Sequence, residues 1–114
     1  MTHWTTICNS DDICPNTGVC AKVGDHQVAI FFSQRTNSYH AISNFDPIGN
    51  ASVLSRGIIG SIGDQLCVAS PLYKQHFSLT TGQCLEQPNV VIPVFDVKIE
   101  QGKIHVAIPQ EVYA

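Results

Sequence analysis

Residues 68–85 read VASPLYKQHFSLTTGQCL, with a Ser-Pro loop, an aromatic strand, a Thr-Gly turn and a short apolar ending in succession. An upstream stretch, AISNFDPI at residues 41–48, also runs from an apolar segment into a proline-containing loop. Short apolar segments bounded by Pro and Gly turns indicate β-strands rather than helices. We therefore predict that both stretches are strand-and-loop units of an all-β domain.

The downstream stretch resembles the second cluster loop of Rieske proteins, where Cys-Pro-x-His precedes an aromatic strand and a Thr-Gly turn. The upstream stretch resembles the first loop, which carries Cys-x-His. A Rieske centre uses two thiolates on one iron and two imidazoles on the other. By this resemblance the thiolate positions fall on Asp46 and Ser70, and the imidazole positions on Ile48 and Tyr73. The resemblance thus implies two vestigial cluster loops and no metal site.

The segment ASVLSRG at residues 51–57 accompanies these replacements. The combination is similar to one family, the small subunit of NAD(P)H-dependent nitrite reductase, whose members commonly lack the cluster ligands. The resemblance runs from residue 4 to residue 106 and is most specific at residues 41–47, 51–57 and 70–77. It implies an all-β, Rieske-like (iron–sulfur protein domain) fold of stacked antiparallel sheets with few short helices. Residues 1–114 would form a single domain, with both loops at one tip.

The same resemblance implies a function in nitrogen metabolism. The chain would be a non-catalytic small subunit of a cytoplasmic oxidoreductase that reduces nitrite to ammonium in nitrate assimilation or ammonia formation. The large subunit of that enzyme is expected to carry FAD, the NAD(P)H site, a [4Fe–4S] cluster and sirohaem. This chain is expected to bind no cofactor, to have no catalytic residues, and to stabilise or position the large subunit.

Composition supports a compact domain and argues against several classes of partner. Apolar residues make up 44% of the 114-residue chain and charged residues only 13%, so a partner can cover its surface without burying many ions. The net charge is −3 and there is no run of Lys or Arg, which argues against nucleic acid. The apolar runs are too short to span a membrane, and the first residues lack the features of a secretion signal.

The five cysteines include no Cys-x-x-Cys pair. Five is an odd number, and in a reducing compartment the simplest state is free, mostly buried thiols. We therefore expect a cytoplasmic protein without a disulfide framework.

Short segments with β periodicity or apolar character predict further strands. They lie at residues 18–23, 27–32, 39–43, 65–69, 94–99 and 103–108. The sequence favours a helix in only two places, the turn after residues 10–12 and residues 50–55, and both are too short to be stable without packing.

Two chemical roles for the tip are disfavoured by its side chains. Asp46, Ser70, Tyr73 and His76 offer a single imidazole and no thiolate, a poor set for zinc or non-haem iron. Ser70 has no evident base and is expected to hydrogen-bond the loop backbone, and His76 is expected to be a satisfied surface histidine at the start of a strand. We therefore expect neither metal binding nor independent catalysis at the tip.

An interaction role remains, because apolar and aromatic side chains replace the imidazoles. Ile48 could line a docking surface or fill the space of the cluster, and Tyr73 is expected to pack with its hydroxyl exposed. Leu72 could add buried area beside them. Arg56 and Lys74 flank the loops and could pair with charges of a partner. The candidate docking residues are Arg56, Leu72, Tyr73, Lys74 and His76.

Two alternatives stay open from the sequence. One is a ferredoxin holding a [2Fe–2S] cluster through unconventional ligands among Cys67, Cys84, Asp46 and His76. Against it, Cys67 lies three residues before the ligand position, a shift that turns a strand side chain to the opposite face. The other is a Rieske-like adaptor for a different oxygenase or reductase.

Overall fold

The computed structural model describes residues 2–109, with side chains described for residues 4–107. Eleven strands are present in the described part of the chain. They are β1 (Thr2–Asn9), β2 (Gly18–Val23), β3 (His26–Ser33), β4 (Ser38–Ser43), β5 (Phe45–Asp46), β6 (Ala51–Ser52), β7 (Ile58–Ile62), β8 (Gln65–Ala69), β9 (His76–Ser78), β10 (Val94–Glu100) and β11 (Lys103–Pro109). Two single-turn 3-10 helices lie at Ser10–Asp12 and Leu54–Arg56.

The strands form one large and two small antiparallel sheets. The six-stranded sheet has the order β1-β11-β10-β4-β3-β2, the middle sheet is the pair β5-β6, and the third has the order β7-β8-β9. The first and the last described strands pair with each other, with Thr5 opposite Val106. This pairing joins the two ends of the described chain in the large sheet.

Two apolar clusters hold the sheets together. The first lies in the large sheet and includes Val28, Ile30, Ile104 and Val106. The second joins the large sheet to the β7-β8-β9 sheet, since Phe31 and Ile42 pack with Val68 and Phe77 of the small sheet. The loops that follow β4 and β8 leave from strands in this second cluster. The second apolar cluster therefore fixes the position of the loop after β4 relative to the loop after β8.

The predicted all-β fold of antiparallel sheets with few short helices is confirmed. Each predicted strand is present, with bounds that differ by one residue at most at either end. The predicted helix at residues 50–55 is wrong: Ala51–Ser52 pairs with Phe45–Asp46, and a helical turn begins only at Leu54. The physical reason is Asn44, whose backbone and side-chain oxygens accept hydrogen bonds from the N–H groups of Leu54 (3.1 Å) and Ser55 (2.7 Å). The other predicted helical turn was expected after residues 10–12, but these three residues form the 3-10 turn themselves.

All five thiols are free, but the prediction that most are buried is wrong. Cys67 and Cys84 are buried, Cys8 is partly buried, and Cys14 and Cys20 are exposed. Burial, followed by the charge of Asp12, raises the pKa of the Cys8 thiol. Burial, followed by the charge of Glu86, likewise raises the pKa of the Cys67 thiol.

We expect a thiol reagent at neutral pH to modify Cys14 and Cys20 first in the native protein. Cys67 and Cys84 should react only after unfolding, because both thiols are buried and the reagent cannot reach them. Mass spectrometry of the alkylated protein before and after denaturation measures this order. Fewer than five reactive thiols in the denatured, unreduced protein would show a disulfide and contradict the free-thiol assignment.

No helix of the described residues is both long and apolar enough to cross a membrane.

Candidate functional site

Asp46 and Ser70, which the resemblance to Rieske proteins assigns to the thiolate positions, are joined directly to each other. The Ser70 hydroxyl donates a hydrogen bond of 2.5 Å to Oδ2 of Asp46. Both residues are buried. The other carboxylate oxygen, Oδ1, accepts from the N–H groups of Ile48 (2.9 Å) and Gly49 (3.0 Å). The carboxylate thus both shapes its own loop and fastens it to the second loop.

Close packing reinforces this connection. A Cβ atom at Gly49 would clash with Cδ1 of Leu72, so the absence of a side chain lets the first loop approach the second. Ser70 Oγ also accepts a long hydrogen bond (3.4 Å) from the N–H of Leu72, so the expected bond to the loop backbone is present. Its main partner, however, is Asp46. A carboxylate–hydroxyl hydrogen bond and an apolar contact therefore join the loops here.

The second loop closes on itself as a tight turn. The N–H of Lys74 donates to the carbonyl of Ser70 (3.0 Å), and the N–H of Ser70 donates to the carbonyl of Gln75 (2.9 Å). Lys74 has a left-handed backbone with φ of 65°, a conformation that is uncommon outside Gly and Asn. This geometry brings Leu72 and Tyr73 to the surface of the turn.

Ile48 and Tyr73, which the resemblance assigns to the imidazole positions, have different surroundings. Ile48 is partly buried and packs against the second apolar cluster. Tyr73 is 65% exposed, so the prediction that its ring packs inward is wrong. The physical reason is the tight turn, which leaves neighbouring Leu72 44% exposed as well. The tip therefore presents an aromatic and an aliphatic side chain to solvent.

His76 begins β9, as expected, and is satisfied by Glu86. Its backbone N–H lies 2.8 Å from Glu86 Oε1, and its ring Nδ1 lies 2.6 Å from Oε2. Burial alone would raise the pKa of Glu86, but the hydrogen bonds from the His76 backbone and ring lower it overall. His76 is thus engaged beside the tip in two hydrogen bonds with Glu86.

Arg56 and Lys74 line a cavity of about 140 Å³ beside the second loop. Ile58 and Pro71 also contribute to its walls. Both cations are exposed, and neither makes an ion pair or a side-chain hydrogen bond with another described residue. An anionic group could therefore bind in this cavity without breaking an existing contact of Arg56 or Lys74 with a described side chain.

The residues present do not fit a [2Fe–2S] cluster. Asp46 and Ser70 satisfy each other, Ile48 has no donor atom, and a phenol is not a substitute for imidazole on cluster iron. Among the described side chains, no group of three or more His, Cys, Asp and Glu residues is placed to hold a metal ion. This includes the alternative set of Cys67, Cys84, Asp46 and His76.

A model of the Rieske-like [2Fe–2S] domain family matches residues 3–107. The nitrite reductase (NADH) small subunit of Escherichia coli strain K12 is 45% identical over 104 residues, which cover 91% of this chain and 96% of that protein. This chain belongs to the nitrite reductase small-subunit family. It is therefore a Rieske-like subunit of an oxidoreductase.

Two further similarities bear on this family. The solution structure of the nitrite reductase [NAD(P)H] small subunit from Erwinia carotovora superimposes with a TM-score of 0.78 at 47% identity, covering 94% of this chain and 82% of that one. The nitrite reductase [NAD(P)H] large subunit of Klebsiella oxytoca is 36% identical over 103 residues, which cover 90% of this chain and 11% of that polypeptide. In that protein, a counterpart of this domain is part of the large-subunit chain itself.

Sequence reasoning missed two parts of the site. Asn44, which holds the 3-10 turn beside the tip, carries no distinctive pattern. Ile58 is 76% exposed on β7, a strand that the sequence does not predict. The sequence gives no signal for this edge, because edge strands normally carry protecting charges and this strand of Ile, Gly and Ser has none.

Proposed function

We propose that this chain docks on the nitrite reductase large subunit through its tip and has no redox centre or active site of its own. The hydrogen bond between Asp46 and Ser70 is the observation that carries this proposal. At the two positions that the resemblance assigns to thiolates, it joins two oxygen atoms that satisfy each other. The tip thus keeps the arrangement of two apposed loops but offers protein surface where a cluster would lie.

The partner follows from two arguments. The Klebsiella oxytoca large subunit includes a counterpart of this domain, and fusion in one polypeptide is a strong indication that the separate chains assemble. The exposed Leu72 and Tyr73 supply the aromatic anchor that protein interfaces favour. Arg56 and Lys74 beside them supply charges that have no ion-pair partner among the described side chains. His76 borders this surface but is engaged with Glu86, so we assign it a supporting position.

The redox cofactors of the reaction would then belong to the partner. We propose that FAD, the [4Fe–4S] cluster and sirohaem lie in the large subunit, where nitrite is reduced to ammonium. This chain would contribute stability or position and would conduct no electrons. The free thiols are consistent with a reducing compartment, and we propose the cytoplasm.

Copurification tests the proposal. A tagged version of this chain, coexpressed with the untagged large subunit, is expected to retain that subunit in a constant molar ratio through size-exclusion chromatography. The tag alone serves as the control. A folded chain that never retains the large subunit would contradict the proposed function.

A further inference from the structure

We propose that the free edge of β7 receives an extended segment of the large subunit as an added β-strand, and that a carboxylate on this segment lies between Arg56 and Lys74. The inference rests on the proposed function for the identity of the partner. It adds the binding mode and the chemistry of the recognised segment.

The edge of β7 is unprotected. In residues 2–109 this strand pairs only with β8, so the backbone groups on its other side have no strand partner. Natural edge strands avoid aggregation through charges, prolines or bulges. β7 has the sequence IIGSI and contains none of these, and its pairing with β8 is regular over all five residues. Such an edge indicates a strand that is covered in the functional assembly.

Both faces of β7 have room for the side chains of an added strand. A cavity of about 180 Å³ lies along Ile58, Ile62, Ala69 and His76. A second, of about 210 Å³, lies along β7 where Arg35 and Leu66 complete the wall. Side chains of an added strand alternate between the two faces of a sheet, so successive residues would enter the two cavities in turn.

The exposed side chains of β7 favour an added strand with apolar side chains. Ile58 is 76% exposed and Ile62 is 44% exposed, and strand alternation places both on the same face of the sheet. Gly60 lies between them, and a Cβ built there meets no atom within 4 Å. This face of β7 therefore has an exposed isoleucine at each end and open space at Gly60 between them. It suits a segment with β-branched or aromatic side chains at alternate positions.

The position of Ile58 next to Arg56 and Lys74 indicates that one end of the added segment is negatively charged. This residue lines both the groove along β7 and the cavity formed by Arg56 and Lys74. A strand that runs along β7 and continues beyond Ile58 would reach these two cations, which have no anionic partner among the described side chains. An Asp or Glu at that end of the segment would complement them. The β7 edge and the tip thus form one continuous surface.

Hydrogen–deuterium exchange of the complex with the large subunit tests the binding mode. Amides of residues 58–62 are expected to exchange at least about tenfold more slowly in the complex than in the free chain, because strand addition protects edge N–H groups. Unchanged exchange in a stable complex would overturn the inference while leaving the proposed function intact. Failure of the wild-type chain to form any complex would overturn both. Concentration-dependent protection of β7 in the isolated chain would show that a second copy covers the edge, and would also overturn it.

Substitutions test the surface with a matched control. The double variant Ile58→Lys and Ile62→Lys places the charges that natural edges use and is expected to weaken binding of the large subunit about tenfold or more. Ile99→Lys is the control, because Ile99 is 43% exposed and lies on β10 of the large sheet, in a different sheet from β7. Binding by the folded double variant that matches the control would contradict the inference. Thermal unfolding confirms that each variant is folded.

Discussion

Replacing Asp46 with alanine is expected to destabilise the protein by about 3 kcal/mol or more, because one buried and two partly buried donors lose their acceptor. The donors are the hydroxyl of Ser70 and the backbone N–H groups of Ile48 and Gly49. A loss of that size should lower the unfolding temperature by roughly 15 °C in a domain of this length. Denaturant unfolding followed by circular dichroism measures the free energy of unfolding directly.

Asp96→Ala provides the control for this prediction. Asp96 is an exposed aspartate on β10, and its removal should change stability by less than about 0.5 kcal/mol. Ser70→Ala should cost less than Asp46→Ala, because the carboxylate then keeps its two backbone donors. In a double-mutant cycle, the two substitutions should be clearly non-additive. An Asp46→Ala variant as stable as Asp96→Ala would contradict the assignment of this carboxylate as the connection between the loops.

A triple variant of the tip is expected to lose at least about thirtyfold in affinity for the large subunit. It combines Tyr73→Ala with Arg56→Glu and Lys74→Glu, which removes the exposed ring and reverses both charges. A desolvated aromatic anchor typically contributes at least about 2 kcal/mol to binding, which corresponds to this loss before charge reversal is considered. Because Tyr73 is 65% exposed, the triple variant should remain folded. Calorimetric titration against the large subunit measures the change.

The matched control reverses two other exposed lysines, with Lys22→Glu and Lys103→Glu. These lysines make no ion pair with the described side chains and lie on β2 and β11 rather than in the two loops. Lys98 is unsuitable, since its ammonium group lies 4.4 Å from the ring centroid of Trp4 and also contacts Glu100. The control should bind within about threefold of wild type, because charges outside the contact area act mainly through screened long-range attraction. Equal affinity of the control and the folded tip variant would place the interface elsewhere.

The strands of the fold could be predicted because their signal is local. Alternation and turn residues mark β2, β3, β10 and β11, and the structure has them within one residue of the predicted bounds. β1 and β7 escaped prediction for different reasons. β1 has the sequence THWTTICN and is stabilised by pairing with β11 at the other end of the chain, which no local pattern reports. β7 is short and free along one edge, so its composition carries little information about burial.

The site was predictable in position but not in its contacts. Resemblance placed Asp46 and Ser70 at corresponding positions of the two loops, yet nothing in the sequence reports that they hydrogen-bond each other. The outward orientation of Tyr73 follows from a turn in which Lys74 adopts a left-handed backbone. Lys gives no sequence signal for that conformation, unlike Gly or Asn. Side-chain direction at the tip therefore required the structure.

Anaerobic reconstitution with iron and sulfide, followed by absorption and EPR spectroscopy, tests the absence of a redox centre most directly. A variant with all four ligands restored, Asp46→Cys, Ile48→His, Ser70→Cys and Tyr73→His, serves as the control for the procedure. The wild-type chain is expected to remain colourless and without stoichiometric iron, since oxygen donors and an aliphatic side chain cannot replace two thiolates and two imidazoles. A stoichiometric [2Fe–2S] spectrum from the wild-type chain would contradict the account and make this chain an electron carrier.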